Sequence, residues 1–295
     1  MKRPFHRDAP ARYTPAMRIT TWNVNGMRAA LRKGFEKHLD AIAPDALLLQ
    51  EVRALPEQLP TEWREPDGWH VAWNPAQKKG YAGTAVWSRT PITTHTFGLT
   101  KSDQDEEGRL ITTEVNGVGI ASVYLPSGSS GEHRQAEKEK WMKAFKPWAD
   151  KQRKAGQPFV FGGDLNIAYT PRDIFHAKSN EKTSGYLPHE RDWLGKVLDS
   201  GWRDLVREDY DQLLADGGDV VDRFGVEGEG IEPDKHGPYS WWSNRGSARA
   251  KNRGWRIDYL LANEPAAERF VAAHIHRAGG LEVSDHAPVS IDLED

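Results

Sequence analysis

The sequence predicts an α/β domain in which a mixed sheet, or two sheets, packs between helices. Three observations carry that expectation. Short apolar runs alternate with stretches of helical period along most of the chain. Turn signals between neighbouring runs, Asn116-Gly117 the plainest of them, point to antiparallel pairs within the sheet. The 295 residues, 38% hydrophobic and 28% charged, suffice for one large core, and α/β domains of roughly 250 residues are routine.

Residues 1–16 hold three prolines and mixed charges without periodicity, which predicts a loose arm and leaves 17–295 as a single domain. Residues 18–24 begin an apolar-rich strand. Leu31, Phe35, Leu39 and Ile42 then recur at helical spacing, and Pro44 stops that helix. Ala46-Leu47-Leu48-Leu49 is too short for a helix and suits a strand buried on both faces. Residues 81–88, 110–115 and 118–125 read as strands. A long helix follows over 132–153, with Trp141, Phe145 and Trp148 on one face and Gly156 as its stop. The second half repeats the alternation: a strand at 159–161, a helix around Trp193, Leu194, Val197 and Leu198, and strands near 239–242, 257–261 and 289–293. The Gly-rich acidic segment 215–234 reads as a mobile surface loop, because strands still follow it.

Cysteine is absent, which excludes disulfide scaffolds, thiolate zinc sites, cysteine nucleophiles and iron–sulfur ligation. The composition is too polar for a membrane span, and no apolar segment follows the basic N-terminus as a secretory signal would require. A cytoplasmic protein is the expectation. The net charge of −3 argues by itself against a nucleic-acid partner, but it is unevenly distributed. Residues 208–234 hold ten acidic side chains and one basic, so the remainder carries +6. Arg245, Arg249, Lys251, Arg253 and Arg256 follow one another with no acid among them, a local cationic surface in prospect.

Several strand-like runs end in small amides and carboxylates, where α/β architectures place ligands. These are Asn23-Val24-Asn25-Gly26, Gln50-Glu51, Gly163-Asp164-Leu165-Asn166 and Ser284-Asp285-His286. One such Asp is more often a helix cap or turn residue; four clusters together point to chemistry. In Asp164-Leu165-Asn166 the alternation of an extended chain puts both polar groups on one face, and Asn23 and Asn25 repeat that around Val24. Oxygen donors without thiolates suit a hard cation such as Mg²⁺, and Glu51, Asp164 and Asp285 could supply them. A partner for a nearby arginine is the competing reading of Glu51. Asp258 lies among Ile257, Leu260 and Leu261, where burial calls for a partner; His286 is the natural one, and such a pair can donate to a phosphate oxygen. Trp241, Trp242 and Trp255 bracket the basic run, a pattern that suits stacking on nucleotides or plain packing.

Thr21-Trp22-Asn23-Val24-Asn25-Gly26-Met27-Arg28, Leu49-Gln50-Glu51, Tyr124-Leu125-Pro126, Gly163-Asp164-Leu165-Asn166, Trp255-Arg256-Ile257-Asp258-Tyr259 and Ser284-Asp285-His286-Ala287-Pro288 closely resemble the exonuclease III family of AP endonucleases. That family belongs to the deoxyribonuclease I-like endonuclease/exonuclease/phosphatase superfamily. Six motifs in matching order span residues 17–293. The resemblance implies a four-layer α/β sandwich, two packed mixed β-sheets flanked by helices, with the active site at one end. It implies Glu51 as the principal Mg²⁺ ligand, assisted by Asn25 and Asp285, with Mn²⁺ able to substitute; Asp164, Asn166 and His286 could hold a second ion. It makes Asp164 the residue that orients or deprotonates the attacking water, and Asn166 a stabiliser of the transition state. His286, held by Asp258, should bind the scissile phosphate, with Tyr124 and Asn180 as further phosphate contacts and Asn23 in support.

By the same resemblance Arg28, Tyr81 and Arg109 face DNA and Trp241 and Trp255 line an abasic-site pocket; the local positive charge of the basic run, which replaces a loop that differs between members, adds Arg245, Arg249 and Lys251 to the DNA surface. The implied function is Mg²⁺-dependent hydrolysis of the phosphodiester 5′ to abasic sites and removal of nucleotides or blocking groups from 3′ ends of duplex DNA. Abasic sites, nicks and 3′ ends are then the substrates of a monomer acting at the bacterial nucleoid. Ser127 stands where many members carry Asn, and Thr183 where some do, and the acidic segment is longer than the family leads one to expect. Two rivals are a phospholipid or inositol-phosphate phosphodiesterase of the same superfamily and a non-catalytic DNA-binding protein on a retained fold.

Overall fold

The computed structural model describes residues 17–100 and 105–294, so the arm expected over 1–16 lies outside it. The first half runs β1 (Met17–Asn23), α1 (Met27–Arg32), α2 (Phe35–Ile42), β2 (Ala46–Gln50), β3 (His70–Asn74), β4 (Thr84–Ser88), β5 (Thr94–Phe97), β6 (Leu110–Val115), β7 (Val118–Tyr124) and α3 (Glu132–Lys154). The second half runs β8 (Phe159–Asp164), α4 (Pro188–Leu198), β9 (Arg203–Asp204), α5 (Leu205–Ala215), α6 (Val220–Phe224), β10 (Asp258–Ala262), α7 (Glu264–Ala267), β11 (Phe270–Ile275), α8 (Arg277–Val283) and β12 (Val289–Leu293).

The strands form two six-stranded mixed sheets, ordered β11-β12-β1-β2-β4-β3 and β5-β6-β7-β8-β10-β9. Each has one parallel pair near its centre, β1 with β2 and β7 with β8. The alternation of strand side chains explains why the sheets stack. Ile19, Ala46, Leu48, Ile120, Val160 and Leu260 point into one shared core between the sheets. The opposite faces bury Trp22, Leu47, Leu49 and Trp87 against Phe35 and Leu39 of α2, and Phe159, Phe161 and Leu261 against α3 and α4. Both faces of the central strands are therefore covered, as the unbroken apolar run of β2 requires. The result is the four-layer sandwich.

Four local expectations are corrected. The helix over 31–42 is two helices, because Gly34 takes φ 87° and breaks the chain between Arg32 and Phe35. The strand expected from Tyr81 starts only at Thr84, after positive φ at Ala82 and Gly83. Residues 239–242 form no strand; Trp241 makes single bridges to Trp255 and His286. The acidic segment 215–234 is not loop throughout: α6 (Val220–Phe224) lies within it, and Val220, Phe224 and Val226 are buried in the same core cluster as the inter-sheet side chains.

Candidate active site

The polar cluster is the end of the inter-sheet core. Along each central strand the inward positions change from aliphatic to polar as the strand finishes. On β1 and β2 the inward series ends at Asn23 and Gln50, which are register partners. On β7 and β8 it ends at Tyr124 and Asp164, again partners, and Asp258 at the start of β10 lies opposite Asp164. Thr21, Gln50 and Ser122 make a buried polar layer beneath: Gln50 Nε2 donates to Ser122 Oγ across the sheets at 2.9 Å, and Thr21 Oγ1 donates to Gln50 Oε1 at 3.1 Å. Both strand pairings and the packing of one sheet on the other are needed to bring these groups together.

The carboxylates are tied by one amide. Asn23 Nδ2 donates to Glu51 Oε1 at 2.9 Å and to Asp164 Oδ2 at 3.0 Å. Tyr124 Oη donates to the same Glu51 oxygen at 2.8 Å, while Arg53 binds the other. Both readings of Glu51, arginine partner and member of an oxygen-rich cluster, are thus realised in one residue. Asn166 donates to Asp164 from its backbone N–H (2.8 Å) and its amide (3.2 Å). His286 Nδ1 donates to Asp258 Oδ2 at 2.9 Å, and Ser240 Oγ donates to the same oxygen at 2.6 Å. That leaves His286 Nε2 facing Asp164 Oδ2 at 3.9 Å. The 284–286 segment is docked on β1, since Ser284 Oγ donates to the Asn23 carbonyl and Trp22 Nε1 to that of His286.

Asp164, Asp258 and His286 are at most 4% exposed. Burial, with the charges of Asp258 and Glu51, pushes the Asp164 carboxyl up to about 7 against the pull of His286. Burial disfavours the imidazolium of His286, but Asp258 and its hydrogen bond, then Asp164 and Asp285, outweigh it and raise the ring to about 10. Burial and the neighbouring Glu51 and Asp164 charges hold Tyr124 well above its ordinary value, so its hydroxyl remains a donor. Asp285 is half-buried; desolvation works to raise its carboxyl, yet His286 and the hydrogen bonds from Asn25 and Trp241 outweigh it and lower it. Asn25, Glu51 and Asn166 all have left-handed backbones, φ 47°, 51° and 50°. Glu51 lacks the short side chain that eases this conformation for asparagine, a cost of roughly 1–2 kcal/mol that the surrounding structure sustains.

Ligand atoms of Glu51, Asp164 and His286 lie within 4.8 Å of one another, the single such group among the described residues. Asn25 and Asp285 form their own pair, Nδ2 to Oδ1 at 2.7 Å. Trp241 Nε1 donates to the other Asp285 oxygen at 3.1 Å and packs edge-on against Trp255 with ring centres 6.0 Å apart, so both half-buried indoles border the cluster.

The outlying expectations fare unevenly. Arg28, Arg245 and Lys251 are exposed, and Arg249 is half-buried with Nη1 on the Leu281 carbonyl. Arg109 is not a surface cation. It is 3% exposed, donating to Glu107, to the Tyr124 carbonyl and to Tyr81 Oη, because its guanidinium packs 4.8 Å over the Tyr124 ring. Arg256 of the basic run is buried too, paired with Asp173 and Asp204. Asn180 donates to the His176 carbonyl and accepts from Thr183 Oγ1 within its own turn, outside the carboxylate cluster. Sequence reasoning passed over Ser240, Ser122 and Arg53; a serine immediately before the Trp pair carries no signal of its own.

The fold and this cluster define a class. A family model described as the Endonuclease/Exonuclease/phosphatase family matches residues 20–286, and the chain belongs to that family. The exodeoxyribonuclease of Bacillus subtilis (strain 168) is 33% identical over 276 residues, 93% of this chain and 98% of that protein. The DNA-(apurinic or apyrimidinic site) endonuclease of Dictyostelium discoideum is 30% identical over 289 residues, 97% of this chain and 73% of that protein. The Neisseria 3′ phosphatase NExo, solved bound to a product DNA hairpin, matches with TM-score 0.80 and 27% identity over 95% of this chain and 100% of that chain. Within the larger family, then, the chain belongs to the exonuclease III family of AP endonucleases, and it is a hydrolase, a nuclease of the DNA-repair kind.

Proposed function

We propose that this protein hydrolyses DNA phosphodiesters at damaged positions, cutting 5′ to abasic sites and clearing nucleotides or blocking groups from 3′ ends, with Mg²⁺ as cofactor and Mn²⁺ as its substitute. The observation that carries this reading is the convergence of Glu51, Asp164 and His286 at one end of the sandwich. Carboxylate and amide oxygens dominate the donor set and no thiolate is present, which fits a hard divalent cation. Glu51 with Asn25 and Asp285 would hold the ion, and Asp164, Asn166 and His286 could hold a second. A bound cation supplies positive charge against the charge that gathers on the phosphate.

The side chains do the rest. Asp164, with a carboxyl near 7 and its oxygens fixed by Asn23 and Asn166, takes the proton of the attacking water. His286 keeps its proton, which Asp258 favours, and offers Nε2–H to a non-bridging oxygen. The Tyr124 hydroxyl, which otherwise donates to Glu51, and the Asn166 amide, which otherwise donates to Asp164 and the Leu125 carbonyl, would turn to the phosphate as charge develops. Attack from the side of Asp164 sends the 3′ oxygen out on the side of Glu51. Trp241 and Trp255 would wall a pocket that admits a baseless sugar and excludes an intact nucleotide. Arg28, Tyr81, Arg245, Arg249 and Lys251 would grip the backbone, making binding sensitive to salt. One domain carries all of this, because β12 near the C-terminal end lies between β11 and β1. No helix among the described residues is long and apolar enough to cross a membrane, and we place the protein in the cytoplasm as a monomer on the nucleoid.

The test is product analysis on an end-labelled duplex with one abasic analogue, in Mg²⁺ and in EDTA, beside phosphoinositide vesicles. A Mg²⁺-dependent cut 5′ to the analogue is expected. Phosphoinositide turnover without DNA cleavage would overturn the reading, and so would DNA binding without any cleavage.

A further inference from the structure

A charged pair lies buried away from the carboxylate cluster. Lys138 projects from the apolar face of α3 that also carries Met142, Phe145 and Ala149, and Glu190 occupies the first turn of α4. Both side chains are 0% exposed, and Lys138 Nζ lies 2.7 Å from Glu190 Oε1. A buried ion pair of this kind contributes little net stability compared with an apolar pair of equal volume. Its remaining hydrogen bonds show what it organises. Lys138 Nζ donates to the carbonyl of Asn166 at 2.9 Å. Glu190 Oε2 accepts from the backbone N–H groups of Gly185 (2.7 Å) and Leu187 (3.1 Å). Gln135 Nε2 donates to Glu190 Oε1 at 3.1 Å, and Ser184 Oγ donates to Gln135 Oε1 at 2.7 Å.

Two segments therefore meet at this pair. One is the left-handed turn at Asn166, whose N–H fixes Asp164. The other is the 184–187 strap, where Gly185 has φ +95° and sits so close to the site that an added Cβ would come within 3.0 Å of the Asn166 carbonyl and 3.1 Å of the Trp255 ring. Gly185 also accepts from the Ala168 N–H through its carbonyl, at 2.8 Å.

We infer that Lys138, through its pair with Glu190, is a positioning residue for the hydrolytic step: it clamps the Asn166 carbonyl to the Gly185 strap and so holds the Asp164-Asn166 pair in register. The inference rests on the nuclease reading above. Lys138 touches neither phosphate nor water itself. Because the clamp acts on the oriented base rather than on the DNA grip, its loss lowers kcat and leaves KM nearly unchanged.

The test compares the wild type with Lys138→Met, Lys138→Arg and the double variant Lys138→Met/Glu190→Gln, which removes both buried charges and keeps an oxygen acceptor for the Gly185 and Leu187 N–H groups. Steady-state kinetics on an abasic duplex are run beside hydrogen exchange of the 166–187 backbone. Misplacing a catalytic group by about an ångström costs up to roughly 100-fold. Both methionine-containing variants are expected to lose roughly 10- to 100-fold in kcat with KM within about threefold, and to exchange faster over 166–187. Lys138→Arg should regain most of the loss. A folded double variant with wild-type kcat overturns the inference, as does a loss confined to KM. A wild type that cannot cleave the duplex at all fails the nuclease reading instead, so the two failures are distinct.

Discussion

Asp164 sits where a carboxylate is least at ease. It is 1% exposed and flanked by the charges of Asp258 and Glu51, with the imidazolium of His286 and the N–H groups of Asn166 and Asn23 on its other sides. Since its folded value near 7 exceeds the ordinary 3.8, the unfolded chain ionises more readily, and this residue withdraws stability as the pH rises from about 4 towards 7. Asp164→Ala should remove that slope in urea titrations run in EDTA. The same change should lower kcat by about 1,000-fold or more, because the water loses its base, while DNA affinity measured in EDTA stays within a few-fold. Near-wild-type turnover would sink the assigned role. The left-handed backbones of Asn25, Glu51 and Asn166 belong to the same trade: backbone strain sits beside buried charge where the chemistry is assigned.

At the scale of the element, β8 shows how tightly the strand pairing fixes the site. Gly163 has φ +148°, and a Cβ there would lie 1.8 Å from the Val123 carbonyl oxygen of the neighbouring β7, whereas a Cβ at Gly162 meets mainly the side chains of Leu260 and Leu48. Gly163→Ala is expected to cost about 3 kcal/mol or more in urea denaturation, and Gly162→Ala less, since side chains yield more readily than backbone. Equal losses would show that the β7–β8 register is not the limiting contact. The strands that carry site residues were legible in the sequence because their apolar runs end abruptly in polar groups: β1, β2, β7 and β8 follow that rule, and β12 was legible as the apolar run that succeeds Ser284-Asp285-His286. Strand β5 was not, because Thr94–Phe97 is an edge strand exposed along its whole length, and β9 has only two residues. Arg109 and Arg256 misled as surface cations since a guanidinium reads the same in sequence whether it meets DNA or an internal carboxylate. Lys138 did leave a signal, a lone charge on an apolar helix face, which becomes intelligible only when Glu190 is brought beside it from α4.

Over the whole molecule, charge follows the layers. Of the ten acids of 208–234, Glu208, Asp209 and Asp211 lie on α5 and Asp222 on α6, helices packed beside β10 and β11, so that part of the segment is a folded acidic face rather than a tail. The β11-β12-β1 side of the first sheet, where the first and last strands of the domain pair, holds a different set of charges. Arg18 and Asp292 pair at 2.7 Å across β1 and β12; burial works against the Asp292 carboxylate, yet Arg18 brings it down to about 2. His276 donates to or accepts from Ser290 at 2.8 Å, and burial, then the nearby His274 and Arg18, lowers its ring to about 3. Both folded values lie below those of an unfolded chain, so both groups stabilise the fold at neutral pH. That contribution is lost as the pH falls, from about 6.5 downward for His276 and from about 4 for Asp292. A single such proton gives a slope approaching 1.4 kcal/mol per pH unit. His276→Asn, which keeps a polar partner for Ser290 and cannot take up the proton, should therefore flatten the decline between pH 6.5 and about 4, measured as urea midpoints in EDTA. If the variant loses stability in parallel with the wild type, acid sensitivity resides elsewhere, and the side of the sheet where β1 pairs with β12 is not what gives way first.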